Sequence, residues 1–382
     1  MSLSINQKKN QKLKIALVAG EKSGDELGGQ LINSLRNKFP NAEFFGLGGA
    51  KMIEAGLKSL FEMEKISVMG IFEPLLNIFE LLSLRKKLKT FLLENDPDIY
   101  VGIDAPDFNL PISRFLKKQK GIKTVQYVSP SVWAWRKGRI KTIEKSVDTV
   151  LTLFPFEKDA YKDSSVKVSF VGHPLAHKFS DQISKKEARR KRSLSPEVKV
   201  IALLPGSRES EVAKMAKVLL DTGEMIRKSD NTVRLYMPLA KNSHKLIVLK
   251  QNDCSWVNLS VGDSQEVLAL SDIGIVTSGT ASLEAALLRT PVVVAYKTSW
   301  LTYIVVKPML KISQFALPNL LAGKMILPEL IQHKVTTLNL FNAFNKLDQQ
   351  DYQNCLESFE KIHSELKSEG PDSAANCIAE ML

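Results

Sequence analysis

LKIALVAGEKSGD, residues 13–25, joins a short apolar segment to a turn of small and polar residues. Residues 13–19 are mostly aliphatic, which is typical of a buried strand, and Gly20 ends the segment. A helical pattern over residues 27–38 follows at once. A strand, a tight turn and a helix in this order form the first half of a βαβ unit, which predicts a parallel sheet with helices on both faces.

This alternation of strand and helix recurs along the chain. Helical patterns cover residues 112–118 and a stretch that begins near Val212, and a charged segment, 184–192, separates two series of units. That segment is either a linker or an exposed helix. The predicted fold is α/β, with two Rossmann-like domains facing each other across a cleft, and ligands of such sheets bind beyond the carboxyl ends of the strands. The predicted strands cover residues 13–19, 99–103, 122–128, 149–153, 198–204, 233–237, 273–277 and 291–296.

The composition fits two folded domains with an anionic partner. A chain of 382 residues, 44% of them apolar, is long enough for each half to bury its own core. Lys and Arg outnumber Asp and Glu by 53 to 41, which gives a net charge of +12. This excess favours nucleic acid, phosphorylated substrates or an anionic membrane surface, and it does not choose among them.

Cysteine usage and hydropathy indicate the compartment. Three scattered cysteines without a C-x-x-C pair predict neither disulfides nor a zinc site, and they fit a reducing compartment. No segment reaches the roughly 18 uncharged apolar residues that span a bilayer. The apolar run 15–19 is too short for a signal peptide, so we expect a cytoplasmic protein.

The turn after the first strand is a candidate binding loop. Ser23, Gly24 and Asp25 stand at a helix N-terminus, where the backbone favours an anion or a sugar hydroxyl. The turn is neither G-x-G-x-x-G nor a P-loop. A simple capped turn is the alternative.

The segment VGIDAPDFN, 101–109, carries the candidate catalytic group. A strand ends here in Asp104, Asp107 and Asn109, with Pro106 suited to the first helical turn. Asp104, at the carboxyl end of the strand, could deprotonate a sugar hydroxyl as a general base. The alternative is that Asp104 or Asp107 is a helix N-cap.

Aromatic and basic residues follow in segment 127–139. Aromatic rings stack on sugars and arginines bind phosphate, so this segment is a candidate substrate site. Core packing with surface charge is one alternative, and single-stranded nucleic acid is another that one cluster supports only weakly. The candidate residues are Ser129, Trp133, Trp135, Arg136 and Arg139.

Two loops of the second half predict a nucleotide-diphosphate site. Each loop follows a predicted strand and begins a helix. Together the loops offer hydroxyls, glycine backbone N–H groups and one arginine, which can bind a phosphate without a metal. Glu284 is placed to accept hydrogen bonds from a ribose. Plain N-caps with a surface glutamate are the alternative. The candidate residues are Gly206, Ser207, Arg208, Ser278, Gly279, Thr280 and Glu284.

Segment 66–82 is rich in large apolar residues and is followed by four basic residues between 85 and 89. This pattern is typical of an element that lies in a membrane interface, although a buried core helix fits it equally well. The predicted membrane contacts are Val68, Met69, Ile71, Phe72, Leu75 and Leu76.

With these motifs the chain resembles the lipid-A-disaccharide synthase family. The matches follow the family's order over about 300 residues, and the longest, 102–109 and 129–136, are highly specific. One departure is Lys22, where the family usually has a small residue; it would contact the acceptor phosphate or, as we expect, point outward. The matching segments are 18–25, 68–70, 101–109, 127–136, 154–157, 172–174, 203–208, 278–284 and 317–323.

The resemblance implies a GT-B fold and an inverting glycosyl transfer. The donor would be UDP-2,3-diacylglucosamine and the acceptor the 6-hydroxyl of 2,3-diacylglucosamine 1-phosphate (lipid X), giving a β-1,6 disaccharide and UDP. It places an essential aspartate at Asp104. Arg208, residues 278–280, Glu284 and Asn319 would hold UDP, and no metal or other cofactor is expected.

The resemblance also implies an organisation and a location. Residues 1–182 would form the acceptor domain, 196–350 the UDP-sugar domain, and 351–382 a helical segment that packs back on the first domain and is exchanged in a homodimer. Segment 66–82 would dock on the cytoplasmic face of the inner membrane. No nucleic-acid partner is expected.

Three other functions fit parts of the pattern. A UDP-N-acetylglucosamine epimerase or a cell-wall N-acetylglucosamine transferase would share the fold without needing segment 66–82 for lipid chains. A dehydrogenase is disfavoured because neither first-strand turn carries G-x-G-x-x-G. A basic protein without enzymatic activity would bind no UDP.

Overall fold

The computed structural model describes residues 12–62, 78–134, 137–179, 184–250, 254–298, 314–370 and 372–382. The chain divides into two compact units. The first comprises Met1–Pro174 and Ser368–Leu382, and the second comprises Leu175–Lys367.

The first unit contains a parallel sheet that, within its described residues, has seven strands in the order β3-β2-β1-β4-β5-β6-β7. The strand order reverses between β1 and β4. The helices that follow these two neighbouring strands therefore pack on opposite faces of the sheet. The strands are β1 (Lys14–Ala19), β2 (Glu43–Gly48), β3 (Lys58–Glu62), β4 (Ile99–Ile103), β5 (Lys123–Tyr127), β6 (Thr149–Thr152) and β7 (Lys167–Phe170). The helices are α1 (Lys22–Lys38), α2 (Ala50–Glu54), α3 (Ile78–Asn95), α4 (Pro106–Lys120) and α5 (Ile140–Glu144).

Strand β1 shows why this sheet is covered on both faces. Ile15 and Leu17 point to one face and pack against α1, while Ala16 and Val18 point to the other and pack against α3 and α4. All four side chains are fully buried. An apolar strand without polar alternation is stable only between two helical layers, as its sequence predicts.

The second unit repeats this plan. Its described strands are parallel in the order β10-β9-β8-β11-β12-β13, and the two parallel sheets confirm the predicted α/β class. The strands are β8 (Val200–Leu204), β9 (Arg234–Leu239), β10 (Asn258–Val261), β11 (Ile273–Thr277), β12 (Val292–Tyr296) and β13 (Glu329–Ile331). The helices are α6 (Pro174–Lys178), α7 (Lys185–Lys191), α8 (Glu209–Ser229), α9 (Asn242–Leu249), α10 (Ser264–Leu270), α11 (Thr280–Leu287), α12 (Leu317–Ala322), α13 (Thr337–Lys346) and α14 (Tyr352–Lys367).

The charged segment 184–192 is not a linker. It contains α7, and the buried guanidinium of Arg189 donates to the carbonyls of Leu270 and Pro196 and pairs with Asp272. A buried arginine needs such partners, and here they tie the segment to the second unit. The second unit therefore begins at Leu175, earlier than the predicted 196.

The C-terminal segment is divided between the two units. Helix α14 belongs to the second unit, where the Cys355 thiol donates to the carbonyl of Ile326 at 2.9 Å. A last helix, α15 (Ser373–Met381), belongs to the first unit, and its Ala375 and Ile378 lie in the core beside α1. The part that joins the first unit therefore starts at Ser368, whereas the sequence prediction begins it at 351.

Candidate functional site

Asp104 lies at the switch point of the first sheet, just beyond the carboxyl end of β4. The turn after β1 meets it there, and the hydroxyl of Ser23 lies 3.4 Å from Oδ2 of Asp104. Asp104 is half-buried, while Ser23 and Lys22 are exposed. The structure thus brings together the predicted catalytic residue, Asp104, and a predicted substrate residue, Ser23, at the edge where doubly wound sheets bind ligands.

The backbone of Asp104 is held in an unusual conformation. Its φ is +51°, and the φ of Ala105 is +38°, a left-handed region that residues with a side chain rarely adopt. The Asp104 carbonyl accepts hydrogen bonds from the side-chain amides of Asn109, at 2.9 Å, and Gln126, at 3.0 Å. Strain that surrounding contacts maintain is common at active sites, and here it fixes the carboxylate beyond the strand end.

Asn109 is a buried residue that supports the turn carrying Asp104. The side chain is fully buried and accepts a hydrogen bond from the Tyr100 hydroxyl at 2.9 Å, while its Nδ2 donates to the carbonyls of Val18, Ile103 and Asp104. All of its polar atoms are used inside the protein. The predicted substrate contact is therefore wrong for Asn109, which positions the turn that carries Asp104.

Asp25 also has a structural role in place of the predicted substrate contact. Its buried carboxylate accepts from the backbone N–H groups of Gly49, Lys51 and Met52 at 2.8 to 3.0 Å. These amides form the start of α2, which an acidic group stabilises. Gly24 is buried beside it, and a Cβ there would lie 3.4 Å from the Ile103 carbonyl. Asp25 therefore ties α1 to α2, and Gly24 lets α1 lie close to the sheet.

The aromatic part of the predicted substrate site is only partly described. Trp135 and Arg136 lie outside the described residues. Trp133 is half-buried and meets the Phe156 ring edge-on at 5.0 Å. Ser129 is buried, and its hydroxyl bonds to the Tyr161 hydroxyl at 2.8 Å, so it is a packing residue and not an exposed ligand group.

Glu157 supports this aromatic cluster and was not among the predicted site residues. The buried carboxylate accepts from the backbone N–H groups of Leu153 and Phe154 at 3.1 Å and from the Trp133 side chain. Burial, which outweighs these hydrogen bonds, raises the pKa of Glu157 to about 7. The signal in the sequence was a charged residue inside an aromatic run, FPFE, at 154–157.

Glu157→Gln is expected to make stability less sensitive to pH. A carboxyl whose pKa is raised by folding stabilises the fold fully below its unfolded pKa, and this contribution is lost as pH rises through the folded value. The wild type should lose on the order of 3 kcal/mol between about pH 4.5 and 7. Chemical denaturation across that range should show the loss in the wild type and in the control Glu94→Gln, an exposed carboxyl of the same unit. An equal slope in Glu157→Gln would contradict the assignment.

Asp107, on the first turn of α4, forms an ion pair with Arg139, which directly precedes α5. They line a cavity of about 550 Å³. Both residues are predicted substrate contacts, and their position beside an open cavity is compatible with that role. The Asp107 carbonyl also accepts from Nη2 of Arg85 at 3.2 Å, a residue that the sequence did not single out.

In the second unit, one cavity of about 470 Å³ brings together the predicted nucleotide residues of both loops. It lies beyond the carboxyl ends of β8, β9, β10 and β11, at the switch point of that sheet. The N-terminus of α11 opens into it and has no side-chain cap. The predicted residues that line it are Gly206, Ser207, Arg208, Ser278, Gly279, Thr280 and Glu284.

The same cavity contains two residues that the sequence did not reveal. Oε2 of Glu211 accepts from the backbone N–H groups of Ser207, at 3.0 Å, and Arg208, at 3.2 Å. A Cβ on Gly206, whose φ is +115°, would lie 2.7 Å from Glu211, so glycine is required there. The buried hydroxyl of Thr277 has no partner within the described residues, which leaves it available to a ligand.

Asn319 does not line this cavity. The side chain is fully buried, its Oδ1 accepts from the backbone N–H groups of Ile326 and Leu327, and its Nδ2 donates to Glu329 at 2.7 Å. These bonds hold the segment that leads into β13. The UDP contact that the resemblance implies for Asn319 is replaced by a structural role, because the side chain is already fully bonded.

The described residues show neither a membrane-spanning helix nor a metal cluster. No helix among them is long and apolar enough to cross a bilayer, and no group of three or more His, Cys, Asp or Glu side chains among them is arranged to hold a metal ion. The predicted membrane contacts between 68 and 76 fall outside the described residues. Directly after them, on α3, Phe79 is 84% exposed and Leu82 is 49% exposed.

Sequence comparison gives a consistent family. The family model described as lipid-A-disaccharide synthetase matches residues 15–381. A lipid-A-disaccharide synthase of Alcanivorax borkumensis is 43% identical over 383 residues, which cover 99% of this chain and 100% of that protein. The enzyme of the same name from Pseudomonas aeruginosa is 42% identical over 373 residues, 97% of this chain and 98% of the relative.

Solved structures with similar folds include glycosyltransferases and epimerases. The glycotransferase of kitacinnamycin has a TM-score of 0.65 at 16% identity, covering 97% of this chain and 100% of that one. The UDP-GlcNAc 2-epimerase from Neisseria meningitidis, bound to UDP-GlcNAc, has a TM-score of 0.60 at 16% identity, covering 97% and 99%. At such identities the likeness shows the fold, and it confirms the GT-B class.

Proposed function

The chain belongs to the lipid-A-disaccharide synthase family, and from this premise we propose that it transfers 2,3-diacylglucosamine from UDP-2,3-diacylglucosamine to the 6-hydroxyl of lipid X. Family membership makes it a glycosyltransferase of lipid A biosynthesis. The observation that carries the specific reaction is the pair of switch-point sites. One has a fixed carboxylate at Asp104, and the other is a cavity of nucleotide size whose lining includes hydroxyls and an arginine.

In the proposed reaction Asp104 is the general base. Its carboxylate takes the proton of the acceptor 6-hydroxyl as that oxygen bonds to the anomeric carbon of the donor. The bond between this carbon and the diphosphate oxygen breaks, and its electron pair leaves with UDP. Attack from the face opposite the leaving group inverts the centre and gives a β-1,6 linkage. The hydrogen bonds from Asn109 and Gln126 support this role because they hold the turn that carries the carboxylate.

The departing UDP is bound in the cavity of the second unit. The α11 N-terminus, with Ser278, Gly279 and Thr280, offers backbone donors to the diphosphate, and Glu284 would accept from the ribose. Arg208 would neutralise the charge that develops on the leaving group.

Arg208→Ala is expected to weaken UDP binding about 10- to 100-fold, since a hydrogen bond to a charged group contributes about 1.5–3 kcal/mol. Its side chain is 78% exposed and paired only loosely with Glu211, at 3.3 Å, so its loss should leave the fold intact. Calorimetric titration with UDP and with uridine would measure the effect. Arg234→Ala, at the amino end of β9, is the matched control. Equal weakening for uridine would contradict a diphosphate contact.

The proposal includes a membrane surface as partner and a dimer. Segment 66–82 would lie in the cytoplasmic face of the inner membrane, and the exposed Phe79 and Leu82, which precede Lys86 and Lys87 on α3, support it. The chain would pair through exchange of its C-terminal segment. Helix α15 packs on the first unit, whereas α14 before it belongs to the second unit. In an exchanged dimer, the terminal segment would pack in the same way on the first unit of the other protomer.

Analysis of the reaction product tests this function. Purified full-length protein in detergent, given both substrates, should form a disaccharide monophosphate whose new linkage is β-1,6 by nuclear magnetic resonance. An α linkage would contradict inversion. A product that forms from the donor alone would favour the epimerase alternative.

A further inference from the structure

The cavity of about 550 Å³ beside α4 has one cationic and one anionic residue in its lining. Arg139, Asp107 and Thr142 line it, with Leu110 and Pro111 as an apolar wall. Its volume is larger than a single anion needs and leaves room for part of a sugar ring. It lies in the first unit, and Asp107 in its lining is close to Asp104 in the chain.

Arg139 lines this cavity and has more hydrogen-bond donors than its ion pair with Asp107 uses. The guanidinium has five N–H donors, and its contact within the described residues is the ion pair that its Nη2 makes with the Asp107 carboxylate. The Arg139 side chain is only 18% exposed, whereas that of Asp107 is 85% exposed. A largely fixed cation is therefore covered by an anion that can turn into solvent at little cost.

Two further features add positive potential at the same place. Helix α4 has no side-chain cap at its N-terminus, and the N-terminus of a helix of this length attracts anions. Arg85 contacts the Asp107 carbonyl and lies over the Phe108 ring, and its buried Nε has no partner within the described residues. Asp107 therefore meets the guanidinium of Arg139 at its carboxylate and that of Arg85 at its carbonyl, on the first turn of a helix without a side-chain cap.

We propose that this cavity is the subsite for the phosphate monoester of the acceptor, and that Asp107 is a mobile counterion which the phosphate displaces from Arg139. The inference rests on the proposed function, because only that function supplies an acceptor with a phosphate. A phosphate dianion offers Arg139 two oxygens in bidentate geometry and carries more charge than the carboxylate that it replaces.

The position fits the chemistry of one sugar. The acceptor carries its reacting hydroxyl and its phosphate at two ends of a single hexose. Asp104 precedes Asp107 by three residues, so the base and the counterion of the phosphate subsite lie close together in the chain. Binding the phosphate here would direct the 6-hydroxyl toward Asp104, which makes Arg139 a specificity-determining residue and not a base.

Transfer to two acceptors that differ only in the phosphate tests the subsite. With lipid X, Arg139→Ala should raise KM about 10- to 100-fold with a smaller change in kcat, as expected for loss of a charge-assisted bond. With 2,3-diacylglucosamine, which lacks the phosphate, the same variant should match the wild type within about twofold. Asp107→Asn should act in the opposite direction and lower KM for lipid X about two- to fivefold.

The controls separate this inference from the function on which it rests. Arg114→Ala removes an exposed arginine from the same helix and should change neither KM. If Arg139→Ala raises KM equally for both acceptors, or if Asp107→Asn raises KM for lipid X, the subsite is overturned while the transfer activity stands. If the wild type transfers to neither acceptor, the proposed function fails, and the inference fails with it.

Discussion

Asp104→Ala is expected to lower the turnover of glycosyl transfer by about 10²- to 10⁴-fold, the contribution of a positioned general base. The variant lacks the carboxylate that would accept the proton of the acceptor hydroxyl. The affinity for UDP should not change, because the nucleotide cavity lies wholly in the second unit. Turnover at saturating donor and acceptor, together with a calorimetric UDP titration of the same preparation, would measure both quantities.

Two further variants make this expectation specific. Asp104→Asn keeps the shape of the side chain and removes its basicity, so it should be as inactive as the alanine variant. Asp159→Ala removes an exposed carboxylate of the same unit that pairs with Lys162, and it should retain wild-type turnover. An Asp104→Asn variant with near wild-type turnover would show that Asp104 orients the acceptor and does not take its proton.

Asn109→Ala is expected to destabilise the first unit by about 3–5 kcal/mol, because a buried donor or acceptor left without its partner costs about 1–3 kcal/mol. The substitution leaves the Tyr100 hydroxyl without this acceptor and removes one donor from each of three backbone carbonyls, including that of Asp104. The strained turn should relax, so transfer should fall strongly even where the protein remains folded. Denaturant unfolding and turnover at low temperature would measure the two effects.

Tyr100→Phe separates the stabilising role of Asn109 from its positioning role. This variant removes the 2.9 Å bond to Oδ1 of Asn109 but leaves the bonds from Nδ2 in place. It should lower stability by about 1–2 kcal/mol and leave turnover nearly unchanged. If Tyr100→Phe and Asn109→Ala lose turnover in proportion to their loss of stability, Asn109 has no separate effect on the Asp104 turn.

The central strands of both sheets follow from the sequence because burial on two faces leaves a clear pattern. The predicted strands 99–103 and 273–277 have the same bounds as β4 and β11. Strand β2 was missed because its glycines resemble a turn. Gly46 is required by close packing, since a Cβ there would lie 2.1 Å from the Leu17 carbonyl oxygen. That contact joins residues far apart in the chain, so it cannot be predicted from the local sequence pattern.

The sequence predicted the position of the site better than it predicted the role of each side chain. Loops at strand ends identify the carboxyl edge of a sheet, and both cavities contain residues chosen for that reason. Asp25 and Asn109 also lie near such ends, but they and Asn319 bond to backbone groups inside the protein. Whether a polar side chain turns inward or outward depends on tertiary contacts. Gln126, a polar residue inside an otherwise buried strand, was the signal that such a contact exists.

Acceptor-dependent release of UDP tests the central claim most directly. Purified full-length protein in detergent would receive UDP-2,3-diacylglucosamine with and without lipid X, and UDP would be followed with time. The proposed transfer predicts UDP release that requires lipid X and matches the disaccharide formed mole for mole. Release at the same rate without lipid X would identify a hydrolase or epimerase, and no release from folded protein that binds UDP would contradict the proposed transfer.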